Sequence, residues 1–197
     1  LLLPGGRLPL NIFEPRYLAM IEDSLGAGRR LGMIQGDPSR PRDAQGGSAL
    51  FGTGCLGRLS SFAETEDGRI LITLTGVARF HVEEELGMRR GYRRVRADYA
   101  PFLADLEPET LPLPKGEILA ALGPYFAAQG MEANTDAIAA LSAPALVTTL
   151  AMVCPFTPAE KQALLEAATL PERAAALLAL LRMGALGGEL PPGGLPS

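Results

Sequence analysis

The feature that most constrains this chain is a single change of hydropathy period. Before about Asp105 apolar residues recur at every second position, and after it they recur at helical spacing. A chain patterned this way predicts an α+β protein with its strands first and its helices last. Ile70, Ile72 and Leu74 alternate with Leu71, Thr73 and Thr75. Phe80 and Val82 continue one face, and Arg79, His81 and Glu83 the other. Asp67-Gly68 sits between this run and the strand-like Leu50–Phe62, which is a hairpin signal. Tyr92–Tyr99 alternates as a further half-buried strand. Near the start, Leu8–Phe13 and Arg30–Gln35 read as strands around one inserted helix, which opens at Pro15 and stops at Gly26 and Gly28. Gly36–Ser48 is polar, rich in Pro and Gly, and reads as a surface loop.

Pro108, Pro112 and Pro114 mark a linker. Beyond it, Ile118, Leu119, Leu122, Tyr125 and Phe126 share a stripe, and helices are expected from Asn134, after Ser142, from Thr157 and over Pro171–Met183. Thr157-Pro158-Ala159-Glu160 has the form of a capping box. The expected organisation is a β-rich lobe over 1–107, a linker over 108–116, a helical bundle over 117–183 and a Gly/Pro-rich tail over 184–197.

Composition excludes several functions. The longest apolar run, Ala174–Leu181, is far short of the ~20 residues of a membrane-spanning helix. No secretory signal is visible, and Cys55 and Cys154 are expected as reduced thiols, which suits a cytoplasmic protein. The net charge is −4, and residues 1–110 carry 14 basic against 15 acidic groups. That balance argues against a nucleic-acid module and offers no membrane-binding face.

The chemical motifs searched for are absent or out of context. Gly52-Thr53-Gly54-Cys55-Leu56-Gly57 matches a dinucleotide fingerprint, but a strand and a turn follow it where that fold needs a helix. His81, the lone histidine, falls on an outward strand position beside three glutamates. One histidine and two distant cysteines do not make a zinc site. No phosphate-binding loop or nucleophile elbow occurs. Lys115 lies in the linker and Lys161 in an amphipathic helix, so neither reads as a Ser–Lys dyad. No catalytic residue, cofactor or metal is expected. Five arginines in eight residues, Arg89, Arg90, Arg93, Arg94 and Arg96, form the one candidate interaction surface, with Glu83–Glu85 on the preceding strand to neutralise it.

Leu8-Pro-Leu-Asn-Ile-Phe-Glu-Pro-Arg-Tyr17 resembles the signature of the Lon protease N-terminal domain family. Phe51-Gly-Thr-Gly54, Asp67-Gly68, Gly76-Val-Ala-Arg-Phe80 and Pro158–Glu166, followed by Arg173 and Leu177, fall in the order of that family. The resemblance covers about residues 1–183. It implies a PUA-like pseudo-barrel lobe, then a helical bundle, in a non-catalytic module that binds unfolded or damaged polypeptides as an adaptor in protein quality control, with a protease as partner. An RNA-binding PUA-like module using the arginine cluster is the alternative. A Lon protease continues into ATPase and Ser–Lys protease domains; neither motif occurs here, so the resemblance implies a stand-alone Lon-domain protein, or a fragment. The family's opening strand falls partly before Leu1, which implies a trimmed start. The motif residues Phe13, Glu14, Pro15, Arg16, Tyr17, Gly76, Arg79 and Phe80 are expected as scaffold. In that reading Phe13 and Tyr17 pack the first helix on the sheet, Glu14 and Arg16 pair locally, and Phe80 anchors the core.

Overall fold

A computed structural model describes residues 1–42, 47–107, 111–132 and 134–187. The expected α+β class is what it shows, with five antiparallel strands and seven helices among the described residues. By internal contacts the chain forms two compact units, Leu1–Pro108 with Phe156–Glu166, and Glu109–Pro155 with Ala167–Ser197.

The first unit is built on one sheet, β1 (Arg7–Ile12), β2 (Arg30–Met33), β3 (Thr53–Glu64), β4 (Ile70–Arg89) and β5 (Tyr92–Asp98). The order β1-β4-β3-β2 places β4 centrally, and β5 pairs the far half of β4. β4 is 20 residues long because it serves two partners in succession. Its first half pairs β1 from Ile70 to Thr75, and its second half pairs β5 from His81 to Arg89. Ile72, Leu74, Ala78 and Phe80 are buried from one face of β4. The Phe80 ring lies over Gly54, and a Cβ added there would come within 2.6 Å of it. So the glycines of the 52–57 motif make room for packing inside and beside a strand, which is the ordinary use of strand glycine.

Helix α1 (Pro15–Gly26) begins on Pro15, where the missing N–H costs nothing. It buries Ala19, Ile21 and Ser24. A 3-10 helix (Ala100–Leu106), not expected from the sequence, follows β5. Helix α5 (Pro158–Glu166) belongs to this unit as well, although the sequence pattern groups it with the bundle. Its capping box is present: the Glu160 carboxylate accepts from the Thr157 N–H at 2.7 Å, and the Thr157 hydroxyl accepts from the Glu160 N–H at 3.3 Å. Amphipathicity shows that a helix has a face to bury, and says nothing of which partner covers it. Here Gln162 donates to the Thr53 carbonyl of β3 at 3.1 Å and accepts from Gln35 at 3.0 Å.

The second unit holds α2 (Lys115–Gln129), α3 (Thr135–Ala139), α4 (Ala143–Val153) and α6 (Leu170–Gly187). Asn134 and Ser142 cap α3 and α4 through their side chains. Ile118, Leu122, Tyr125 and Phe126 of α2 are buried, as are Ala174, Leu177, Leu178 and Leu181 of α6. The Tyr125 ring lies where a Cβ on Gly184 would be, 2.6 Å away, so α2 and α6 approach closely at that point. Gly184–Gly187 continue α6, four residues past the end expected from the pattern. The rest of the expected tail, 188–197, lies outside the described residues.

Candidate functional site

The arginine cluster lies on the β4–β5 hairpin. Arg89 pairs Tyr92 across the ladder, so Arg90 and Gly91 form a two-residue turn, both with positive φ, 49° and 85°. That is the geometry of the primed hairpin turns, which fit strand twist. Arginine is an uncommon residue at positive φ. Here its guanidinium is fixed by α1: Arg90 donates to Glu22 at 2.7 Å, to Asp23 at 3.0 Å and to the Ala19 carbonyl at 3.4 Å.

The remaining arginines are engaged too. Arg89 reaches Asp23 at 3.1 Å, and Arg96 reaches Glu84 at 2.9 Å. Arg93 grips both Glu85 carboxylate oxygens with two nitrogens of its fork and donates with the third to the Ser48 carbonyl at 2.7 Å. Arg94 donates to the Gly87 carbonyl at 3.0 Å. Four of the five thus face a carboxylate. Glu84 and Glu85 come from the expected glutamate run. Glu22 and Asp23 come from a helix about 70 residues earlier, a pairing with no local sequence signal. Tyr92 adds its hydroxyl to Asp23 at 2.7 Å. This bond, followed by the two nearby guanidiniums, holds the Asp23 carboxyl below its ordinary pKa. Burial, then the same bond, raises the Tyr92 phenol above its own.

The motif residues divide. Arg16 reaches Glu14 at 2.8 Å and lies 4.5 Å from the Tyr17 ring centroid. Phe13 is 62% exposed, with Arg69 5.9 Å from its ring, so it does not pack α1 on the sheet. Gly76 lies under the N-terminal segment. Its N–H donates to Gly6 and its carbonyl accepts from Gly5, and an added Cβ would meet the Leu3 carbonyl oxygen at 1.9 Å. Phe80 is buried, edge-on to the Tyr99 ring at 5.8 Å.

Arg79 is the correction. The alternation places it on an outward face with His81, yet it is 3% exposed. Its fork meets Asp105 at 2.9 and 2.7 Å, and a third nitrogen donates to the Leu165 carbonyl of α5 at 3.2 Å. The same carboxylate accepts from the Arg79 backbone N–H at 2.9 Å, and Phe102 stacks on the guanidinium at 4.7 Å. The parity is right, because Arg79 does point away from Phe80. What alternation does not show is that this face is covered by the 3-10 helix and α5. A charge buried there is tolerable only with a matched partner, and Asp105 supplies it. The clamp fixes a 3-10 helix whose Leu103 and Leu106 are each 59% exposed. Phe13, Phe62, Leu71 and Met88 add further exposed apolar side chains in the same unit.

His81 is exposed, and Cys55 and Cys154 are buried. Among the described residues no group of His, Cys, Asp and Glu could hold a metal ion, and no helix is long and apolar enough to cross a membrane.

The profile of the ATP-dependent protease La (LON) substrate-binding domain matches residues 1–183. The chain belongs to this Lon family. Two solved structures show the same fold. A Lon N-terminal domain protein from Xanthomonas campestris is 23% identical, over 90% of this chain and 91% of that one, with a TM-score of 0.59. The N-terminal domain of a Mycobacterium avium complex Lon protease is 18% identical, over 94% and 92%, with a TM-score of 0.57. The family role is substrate recognition, performed by a non-catalytic domain. The Lon domain accounts for nearly the whole of the chain, from Leu1 to residue 183.

Proposed function

We propose that this Lon domain binds unfolded or damaged polypeptides without catalysis, as an adaptor for a protease in cytoplasmic protein quality control. One contrast supports the reading. Large apolar side chains, among them Phe13, Met88, Leu103 and Leu106, stand exposed, while the arginines of the one basic cluster are spent on carboxylates and carbonyls. Exposed apolar surface suits an unfolded chain, whose buried residues have become accessible. A phosphate backbone needs guanidiniums that still have charge to give.

The test is a parallel titration of a labelled unfolded protein and a labelled RNA at roughly 50 and 200 mM salt. Single modules with modest contact area bind in the micromolar range, about −8 kcal/mol at 1 μM. The unfolded protein should bind in that range and change little with salt, and the purified protein should hydrolyse neither ATP nor casein. Tight RNA binding with a steep salt slope, lost when Arg93, Arg94 and Arg96 become Ala, would replace this reading with the RNA one.

A further inference from the structure

β3 ends its pairing with β4 at Thr53–His81, whereas β4 runs on to Arg89. The segment preceding β3 turns away here, held by the Gly52 carbonyl, which accepts from Val82, and by the bridge between Gly36 and Leu50. Between that segment and the β4–β5 hairpin lies an open cleft of about 390 Å³. Pro41, Ala49, Leu50, Phe51 and Val82 give it an apolar lining, and Arg40, Glu85 and Arg93 are its charged groups. Glu85 and Arg93 neutralise each other through their two-pronged contact. Among the described residues the Arg40 guanidinium makes one long bond, 3.5 Å to the Leu50 carbonyl. Among the described residues the cleft therefore carries one net positive charge, on Arg40, with most of its donors unspent, beside an apolar wall.

We propose that this cleft takes an extended polypeptide segment in which an apolar side chain is followed by an acidic one. The apolar side chain lies on Leu50, Phe51 and Val82. The carboxylate meets Arg40, whose planar fork suits it. The proposal rests on the polypeptide-binding reading above and names one subsite of it. An isolated Lys or Arg side chain of the client is disfavoured there, since Arg40 repels it.

The test uses the full chain and three labelled, unstructured Gly/Ser-rich peptides that differ only in a central Leu-Asp, Leu-Asn or Leu-Lys. The Leu-Asp peptide should bind best, by about fivefold over Leu-Asn, the upper end for an exposed charge pair. Arg40→Glu should erase that preference and favour Leu-Lys instead, while Arg40→Gln leaves the three equal. Unchanged thermal melting would show that both variants are folded. Equal binding of all three peptides to the native chain overturns the subsite but leaves the general reading intact, provided unfolded protein still binds. Absence of binding to peptides and unfolded protein alike overturns both. A concentration-dependent dimer that Arg40→Glu dissociates would assign the cleft to a second copy and overturn the proposal.

Discussion

Asp23 shows at the level of one residue how the basic cluster is held. It accepts from Tyr92, Arg89 and Arg90, and its pKa is lowered first by the Tyr92 bond. A carboxylate with a depressed folded-state pKa stabilises fully above its unfolded value, about 3.9, and loses that contribution as pH falls through the lower folded value. Tyr92 has the opposite sign. Its raised pKa gives stability that is present below about 10 and lost as pH rises through the folded value. Asp23→Asn should therefore lower the melting temperature across the neutral range. The gap from the native chain should begin to narrow below about pH 4 and close only beneath the depressed folded value, where both carry a neutral side chain. Thermal melts of the two proteins from roughly pH 2 to 9 measure it, and a gap that persists unchanged in acid would refute this role. The arginines themselves were plain in the sequence, and so were Glu84 and Glu85, because cross-strand neighbours follow from the hairpin. Asp23 was not. Nor was Asp105, the partner of buried Arg79, 26 residues further along the chain. Pairings that depend on tertiary approach leave no periodic trace.

Elements were more legible than pairings, since strands and caps are specified locally. The Asp67-Gly68 turn, the Pro15 helix start and the Asn134, Ser142 and Thr157 caps all lie where short-range stereochemistry puts them. The β4–β5 hairpin was legible but the place of its turn was not, because Arg90 adopts its positive φ with the support of α1 rather than through its own preference. Gly76 is the element-scale test of how the N-terminal segment meets the sheet. Leu2 and Leu3 are buried at 1% and 0% exposure, and the Leu3 carbonyl occupies the place of a Gly76 Cβ. Gly76→Ala must therefore push backbone against backbone, and no flexible side chain is there to yield. Overpacking of this kind costs about 1–3 kcal/mol. Displacing the segment would add the loss of two buried leucines, about 1.5–3 kcal/mol each. Urea unfolding of the variant should show at least the smaller loss, whereas an unchanged midpoint would mean that the segment is not seated there.

For the molecule as a whole, the order of the chain and the order of its compact units differ. The chain leaves the first unit after residue 108, returns for Phe156–Glu166 and leaves again. The change of period near Asp105 marks the first departure; the return is invisible to periodicity, because α5 is as amphipathic as a bundle helix. The consequence is that residues 1–107 do not make a complete folding unit. They lack Leu164 and Leu165, exposed by 0% and 1%, together with Gln162 and the Leu165 carbonyl that receives Arg79. Two buried leucines are worth about 3–6 kcal/mol, and each orphaned polar partner costs about 1–3 kcal/mol more. A domain of this size has only about 5–15 kcal/mol of stability in total. A fragment of residues 1–107 should accordingly show no cooperative thermal transition, and its near-ultraviolet dichroism should be weak. Fusing residues 156–166 to its end through a flexible Gly/Ser linker should restore both, since the linker adds little closure cost beyond that of the native excursion. A cooperative melt of the bare fragment, at the temperature of the fused one, would show that α5 is dispensable to the sheet and that Arg79 is satisfied by Asp105 alone.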